Sequence, residues 1–332
     1  MNRQIVLKSR PVGIPTAENF EILDAPESSV KEGELLVKAK YISVDPYMRG
    51  RMSDAKSYVA PFELGQPMEG GVVAEVMESR HPDFKEGDAV LAPLKWQEIQ
   101  AVSAGKVTKL DKSIAPLSYY LGILGMPGLT AYFGLLDIGK PVSGETIVIS
   151  GAAGAVGVVV GQIAKLKGCR VVGISGSDEK NAYLSHDLKF DEVINYQITG
   201  SMRKAIEKAC PDGVDIYFDN VGGEISDAVI SHINKGARII ICGQISLYNE
   251  TKLPMGPRPH SILLKKSALM QGFIVSNFAS RFPEGVKQLA TWLGDGRLSY
   301  QETIVKGFEK LPEAFIGLFE GKNTGKSLVE IE

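Results

Sequence analysis

One passage constrains the fold more than any other: Thr146-Ile147-Val148-Ile149-Ser150 runs straight into Gly151-Ala152-Ala153-Gly154-Ala155-Val156-Gly157. A short, unbroken run of β-branched residues suits a strand covered on both faces of a parallel sheet. Glycines spaced as GxxGxxG permit a tight turn and let the main chain approach a diphosphate. They also leave helix N-terminal amides facing its negative charge. From Val156 to Leu166 the apolar spacing predicts a helix closed by Gly168, and Arg170-Val171-Val172-Gly173-Ile174 supplies the next strand. A glycine-rich turn alone is sometimes only a turn, but the strand before it, the helix after it and the second strand at the right distance make it a dinucleotide site.

The same rhythm continues through strand candidates Glu192–Asn195, Val214–Phe218, Ala237–Ile241 and Met270–Ile274, separated by segments of helix length. Right-handed βαβ units of this kind wind on both sides of a parallel sheet, so residues 123–295 are expected to form a doubly wound α/β Rossmann domain. Residues 1–122 read differently. Short runs such as Glu34–Ala39, Gly71–Val76 and Asp88–Ala92, broken by Gly, Pro and Asp, predict an antiparallel β domain. In the remaining stretch, 296–332, Leu311, Ala314, Phe315, Leu318 and Phe319 define one apolar helix face ending at Gly321. The strand Ser327–Ile331 is expected to return to the first domain.

Composition removes several classes of function. Lys and Arg total 37 against 39 Asp and Glu, so a net charge of −2 supplies no general field for nucleic acid or an anionic membrane, and any anionic ligand has to be held locally. The start, Met1 to Lys8, lacks the apolar core of a signal peptide. No run approaches the ~20 apolar residues that span a bilayer, so a soluble, cytoplasmic protein is expected. Cys169, Cys210 and Cys242 form no CxxC pair, and His81, His186, His232 and His260 form no pair at metal spacing, so no metal site is expected. His260 reads as a loop residue within Gly256-Pro257-Arg258-Pro259-His260, in a Pro- and Gly-containing segment from Tyr248 that is long enough for a lid.

Cofactor choice is decided at the end of the second strand, where an enzyme using NAD usually places an acid against the ribose diol. Here Ser175 and Gly176 take that position, followed by Ser177, Asp178, Glu179 and Lys180. Nothing at the acidic position repels a 2′-phosphate, and Lys180 is one helical turn on, suited to a charge-assisted contact. The alternative is that Asp178, Glu179 and Lys180 form only a solvated first turn with its acids serving the helix dipole.

With these words in view, the chain resembles the medium-chain dehydrogenase/reductase superfamily. Within it, the resemblance is to the zinc-free leukotriene B4 12-hydroxydehydrogenase/prostaglandin reductase family, which includes alkenal double-bond reductases and curcumin reductases. The resemblance runs end to end and rests on Ser43–Arg49 (SVDPYMR), Gly125–Tyr132 (GMPGLTAY), Gly151–Gly157, Asp219–Gly223 (DNVGG) and Cys242–Ser246 (CGQIS). It implies a GroES-like catalytic domain, a Rossmann domain, NADPH and a homodimer. Zinc alcohol dehydrogenases of the superfamily carry a catalytic Cys where this chain runs into Asp45-Pro46, and Gly-His-Glu where it reads Gly70-Gly71. Position by position, the resemblance assigns Lys180 and Tyr196, beside Ser177, to the 2′-phosphate and Gly154, Ala155 and Val156 to the pyrophosphate. Asn220, Cys242, Ile245 and Asn323 go to other parts of the dinucleotide, and Phe273, Ile274 and Val275 to the nicotinamide.

The chemistry so implied is hydride delivery to the β-carbon of an α,β-unsaturated ketone or aldehyde, which leaves negative charge on the carbonyl oxygen and calls for a donor there. Tyr248, beyond the carboxyl end of a predicted parallel strand, is the first candidate. Tyr47, expected to face the cleft between the domains, is the second; each has an alternative role as pocket wall. Two other functions share the cofactor site: a quinone reductase, and a non-catalytic NADP-binding protein of the crystallin kind.

Overall fold

The computed structural model describes residues 2–26 and 28–331; Met1, with which the expected N-terminal run begins, lies outside the described residues, as do Glu27 and Glu332. The chain divides into two compact units, the first made of Met1–Gly122, Glu302–Asn323 and Ser327–Glu332 and the second of Ile123–Gln301 and Thr324–Lys326.

The first unit is built around the strand Glu34–Ser43, in which Leu35, Val37 and Ala39 point inward while their neighbours are more exposed. This alternation is the period-two pattern of a strand with one buried face. It pairs antiparallel with Glu69–Ser79, with Ile99–Ser103 and with Lys326–Glu330. The strand Ala89–Lys95 continues the sheet, and Arg3–Leu7 and Phe20–Asp24 form a separate hairpin-like pair. Leu311, Ala314, Phe315 and Leu318 of the helix Leu311–Phe319 are buried as their spacing predicts. Phe315 meets Trp96 edge-on at 6.4 Å, and Trp96 stacks on Phe20 at 6.5 Å, so an aromatic group sits within a largely aliphatic core.

The second unit carries a six-stranded, wholly parallel sheet in the order Glu192–Asn195, Arg170–Ser175, Thr146–Ser150, Val214–Asp219, Ile233–Ile241 and Leu269–Gly272. Counted by their place in the chain this is 3-2-1-4-5-6, the Rossmann order, whose switch point lies between Thr146–Ser150 and Val214–Asp219. All five residues of the first of these strands are buried, as its unbroken apolar run requires. Helices Gly157–Leu166, Met202–Ala209 and Gly223–Ile230 supply crossovers.

Besides strand ends that shift by a few residues, the sequence reading and the structure differ as follows. The helix after the glycine turn begins at Gly157, one residue after the expected Val156, because the turn consumes residues 151–156. The last parallel strand stops at Gly272, leaving Phe273 and Ile274 beyond it. His260 opens the helix His260–Lys266 and is not a loop residue; the prolines at 257 and 259 precede that helix and do not interrupt it.

Candidate active site

The glycine turn is held by main chain lying on main chain. Gly151 adopts a φ of 59°. A Cβ on Gly157 would stand 2.5 Å from the Gly151 carbonyl oxygen and 2.7 Å from Ala152 Cα, so only glycine lets the helix start this close to the strand end. The Gly154 amide donates to the Gly151 carbonyl at 3.0 Å, whereas the amides of Ala155 and Val156 make no hydrogen bond among the described residues. Two free amides at the start of a ten-residue helix are a fitting cradle for a diphosphate. Alongside, the Gly325 amide donates to the Ala153 carbonyl at 2.8 Å, which lays Thr324–Lys326 against the turn; Asn323 directly precedes it in the chain.

At the end of the neighbouring strand, Ser175 donates to Asn181 Oδ1 at 2.7 Å and is therefore engaged in structure. Ser177 caps the helix Asp178–Ala182 by accepting from the Lys180 amide at 3.2 Å. The Tyr196 ring covers Gly176, where a Cβ would come within 2.9 Å of the tyrosine oxygen. Ser177, Lys180 and Tyr196 thus share one corner. Burial holds the half-buried Lys180 ammonium below the ordinary lysine range, and a phosphate placed there would favour its charged form. Asp178 accepts from Asn195 Nδ2 at 2.8 Å, so it is tied to the strand end and turned to structural use.

Across the switch point two loops are knitted together. Asn220 donates from Nδ2 to the Ser150 carbonyl at 2.8 Å and from its amide to Ser150 Oγ at 3.0 Å. Ile245 donates to the Asn220 carbonyl at 3.3 Å, and Ser246 Oγ donates to the Val221 carbonyl at 2.6 Å. Tyr248 folds back so that its hydroxyl oxygen accepts from the Gln244 amide at 3.3 Å. Asn220, Cys242, Ile245 and Tyr248 therefore sit on adjoining loops at the carboxyl ends of neighbouring strands. Phe273 packs its ring edge-on to Phe218 at 6.5 Å and to Phe278 at 6.3 Å, leaving Ile274 exposed and Val275 at the start of a short 3₁₀ segment. In the first unit Tyr47 packs against the core, and burial with nearby Asp45 raises its hydroxyl above the ordinary tyrosine range, so it is neutral at pH 7.

The sequence reading gave no role to Ser150 or Asp219, although both contact this region. The signal was an acid closing an apolar strand, a position where burial forces hydrogen bonding. Among the described residues no three His, Cys, Asp or Glu side chains converge as metal ligands.

A glycine turn at the switch point of a Rossmann sheet, joined in one chain to an antiparallel β unit, defines a dinucleotide-dependent oxidoreductase of two units. Family models agree: residues 3–110 match the N-terminal domain of oxidoreductase and residues 155–291 match the zinc-binding dehydrogenase model. YfmJ of Bacillus subtilis is 59% identical over 99% of this chain and 97% of its own length. NADPH-dependent curcumin reductase of Escherichia coli is 45% identical (99% and 97%) and prostaglandin reductase 1 of Bos taurus 46% (98% and 97%). The crystal structure of CurA from Vibrio vulnificus in complex with NADPH superposes with a TM-score of 0.95 at 48% identity, covering 99% of each chain. The chain belongs to the zinc-independent medium-chain dehydrogenase/reductase family of the alkenal and prostaglandin reductase type, and it is an oxidoreductase.

Burial pushes the Cys242 thiol up to about 12, with Asp219 adding to the effect, so the thiol is protonated at any pH below that. Alkylation of Cys242 by iodoacetamide at pH 8 is expected to run about three orders of magnitude slower than for an ordinary free thiol, rising about tenfold per pH unit. Mass spectrometry of timed labelling reads this directly; an ordinary rate contradicts it.

Proposed function

We propose that this protein reduces the carbon–carbon double bond of α,β-unsaturated ketones and aldehydes, with NADPH as reductant. Its cofactor is NADP(H), in keeping with the NADPH-dependent curcumin reductase and the NADPH-bound CurA it resembles. When bound, the reduced nicotinamide supplies a hydride, which a conjugated carbonyl accepts at its β-carbon. Lys180, Tyr196 and Ser177 hold the 2′-phosphate, and Gly151, Gly154, Ala155, Val156 and Gly157 receive the pyrophosphate. Asn220, Cys242, Ile245 and Asn323 line the dinucleotide, and the segment Phe273, Ile274, Val275 flanks the nicotinamide. Because the Phe273 ring is already packed on Phe218 and Phe278, the main chain of that segment is the part that does the flanking.

The observation that carries the reading is Tyr248. It lies at the carboxyl edge of the sheet, where ligands of this fold bind, and its hydroxyl accepts from a main-chain amide, which polarises its own O–H toward donation. A donor of that kind stabilises the enolate oxygen that forms as hydride arrives. Tyr47, kept neutral by burial, is the second donor.

The test is loss of NADPH absorbance across enones, alkenals, quinones and simple aldehydes, with product analysis. Enones and alkenals should be reduced at C=C and NADPH preferred over NADH, with Lys180→Ala abolishing most of that preference; quinones reduced faster than every conjugated carbonyl would replace this function by a quinone reductase. Tyr248→Phe is expected to lower kcat by about 10²–10³, less if Tyr47 compensates, with KM changed little. Turnover equal to wild type removes the role from Tyr248.

We also propose a homodimer. The strand Leu269–Gly272 pairs on one side only, with Ile233–Ile241, and none of its four residues is buried. The adjacent helix His260–Lys266 buries none of its residues either, and Leu253, Met255 and Leu264 are exposed. An edge of this kind invites pairing with a second copy. Light scattering should give twice the 35.9 kDa chain mass, and a monomer at micromolar concentration retires the proposal.

A further inference from the structure

One carboxylate ties the glycine turn to the two loops across the switch point. Asp219 ends the strand Val214–Asp219 and is 1% exposed. Its Oδ1 accepts four hydrogen bonds: from Ser150 Oγ at 2.9 Å, Tyr217 Oη at 2.8 Å, the Val221 amide at 3.0 Å and the Gly222 amide at 2.9 Å. Its main-chain carbonyl accepts from the amides of Cys242 and Gly243 at 2.9 and 3.0 Å. Three loops therefore converge on one residue: the glycine turn through Ser150, the Asn220–Gly223 loop through its amides, and the Cys242–Tyr248 loop through the carbonyl. Ser150 Oγ, which donates to Asp219, also accepts from the Asn220 main-chain amide, so the main chain of Asn220 is fixed by the same network, while its side chain donates to the Ser150 carbonyl.

Asp219 Oδ2 is buried and has no hydrogen-bond partner among the described residues. Four donors on one oxygen and none on the other is an arrangement for holding geometry, since charge alone would be balanced as well by donors shared between the two oxygens. The geometry points to Asp219 as a positioning residue for the dinucleotide, setting the spacing between the glycine turn and Asn220 without touching the ligand. This rests on the reading that NADPH binds at the glycine turn. The corner of Ser177, Lys180 and Tyr196 lies outside the network, on the other side of the turn, and is independent of Asp219.

The independence supplies the test. Binding of NADPH and of adenosine 2′-monophosphate is measured by calorimetry for wild type, Asp219→Ala, Asp219→Asn and Ser150→Ala, each checked for folding by circular dichroism. In Asp219→Ala the Kd for NADPH should rise about tenfold or more while that for adenosine 2′-monophosphate stays within about twofold. Asp219→Asn should restore NADPH binding to within about threefold, because asparagine keeps one oxygen for the four donors and places its amide where no donor stands. If Asp219→Ala does not fold, Ser150→Ala decides, with a rise of about threefold or more for NADPH only. Unchanged NADPH affinity, equal loss of both ligands, or no rescue by asparagine overturns the inference. Wild type that binds no NADPH overturns the function proposed above.

Discussion

The site depends on one steric fact: at the start of the helix Gly157–Leu166, main chain has to touch main chain. The Gly157 Cα lies against the Gly151 carbonyl and Ala152, and any side chain there drives the helix off the strand end. That displacement would separate the free amides of Ala155 and Val156 from the sheet edge and move the Val158–Gln162 face, all buried, out of the unit's core. Packing of the helix and presentation of the amides are thus one requirement, which explains why a binding motif doubles as a folding motif.

Charge is managed at both ends of the parallel sheet, by different means. At the amino end Arg238 reaches Glu145 with two hydrogen bonds of 2.8 and 2.6 Å and also donates to the Gly139 carbonyl, a bidentate clamp joining strand to loop. The carboxylate of Glu145 is held below its ordinary range, where burial works against its hydrogen bonds to Arg238 and the Val142 amide and loses. At the carboxyl end one oxygen of the acid Asp219 is held by neutral hydroxyls and amides, and Lys180 is partly desolvated. A cationic corner and unpaired amides near a carboxylate turned inward leave that rim complementary to an anion.

Much of this was legible in the sequence because its signals are local. The strands Thr146–Ser150 and Glu192–Asn195 were bounded correctly from β-branched runs alone, and the helix face Leu311–Leu318 from its spacing. What the sequence hid is set by tertiary contact. Beyond the end of the last strand at Gly272, Phe273 turns into an aromatic cluster with Phe278 and with Phe218, a residue far from it in the chain. Of the four donors on Asp219 the amides of Val221 and Gly222 form a local turn pattern, whereas Ser150, 69 residues away, is announced by no spacing rule. Ser175 shows the same limit: the sequence marks only the missing acid at its position, whereas its hydroxyl is spent on Asn181.

Packing is tight around Gly70 and Gly71, the positions that the resemblance compares with a Gly-His-Glu of zinc alcohol dehydrogenases. A Cβ on Gly70 would come within 2.5 Å of Met48 Cε and 3.3 Å of Trp96 Nε1, and one on Gly71 within 3.1 Å of Leu121 Cδ2. Histidine or glutamate at either position would have to displace buried apolar side chains, at a cost typical of overpacked cores, about 1–3 kcal/mol or more. Asp45, which stands where those relatives place a cysteine, is buried and accepts a short hydrogen bond from Ser43. Polar groups of the Ser43–Arg49 word are thus engaged in holding local structure together, with Arg49 reaching the carbonyls of Pro11 and Gly13. In the function proposed above, stabilising negative charge on a substrate oxygen is assigned to neutral donors such as the Tyr248 hydroxyl.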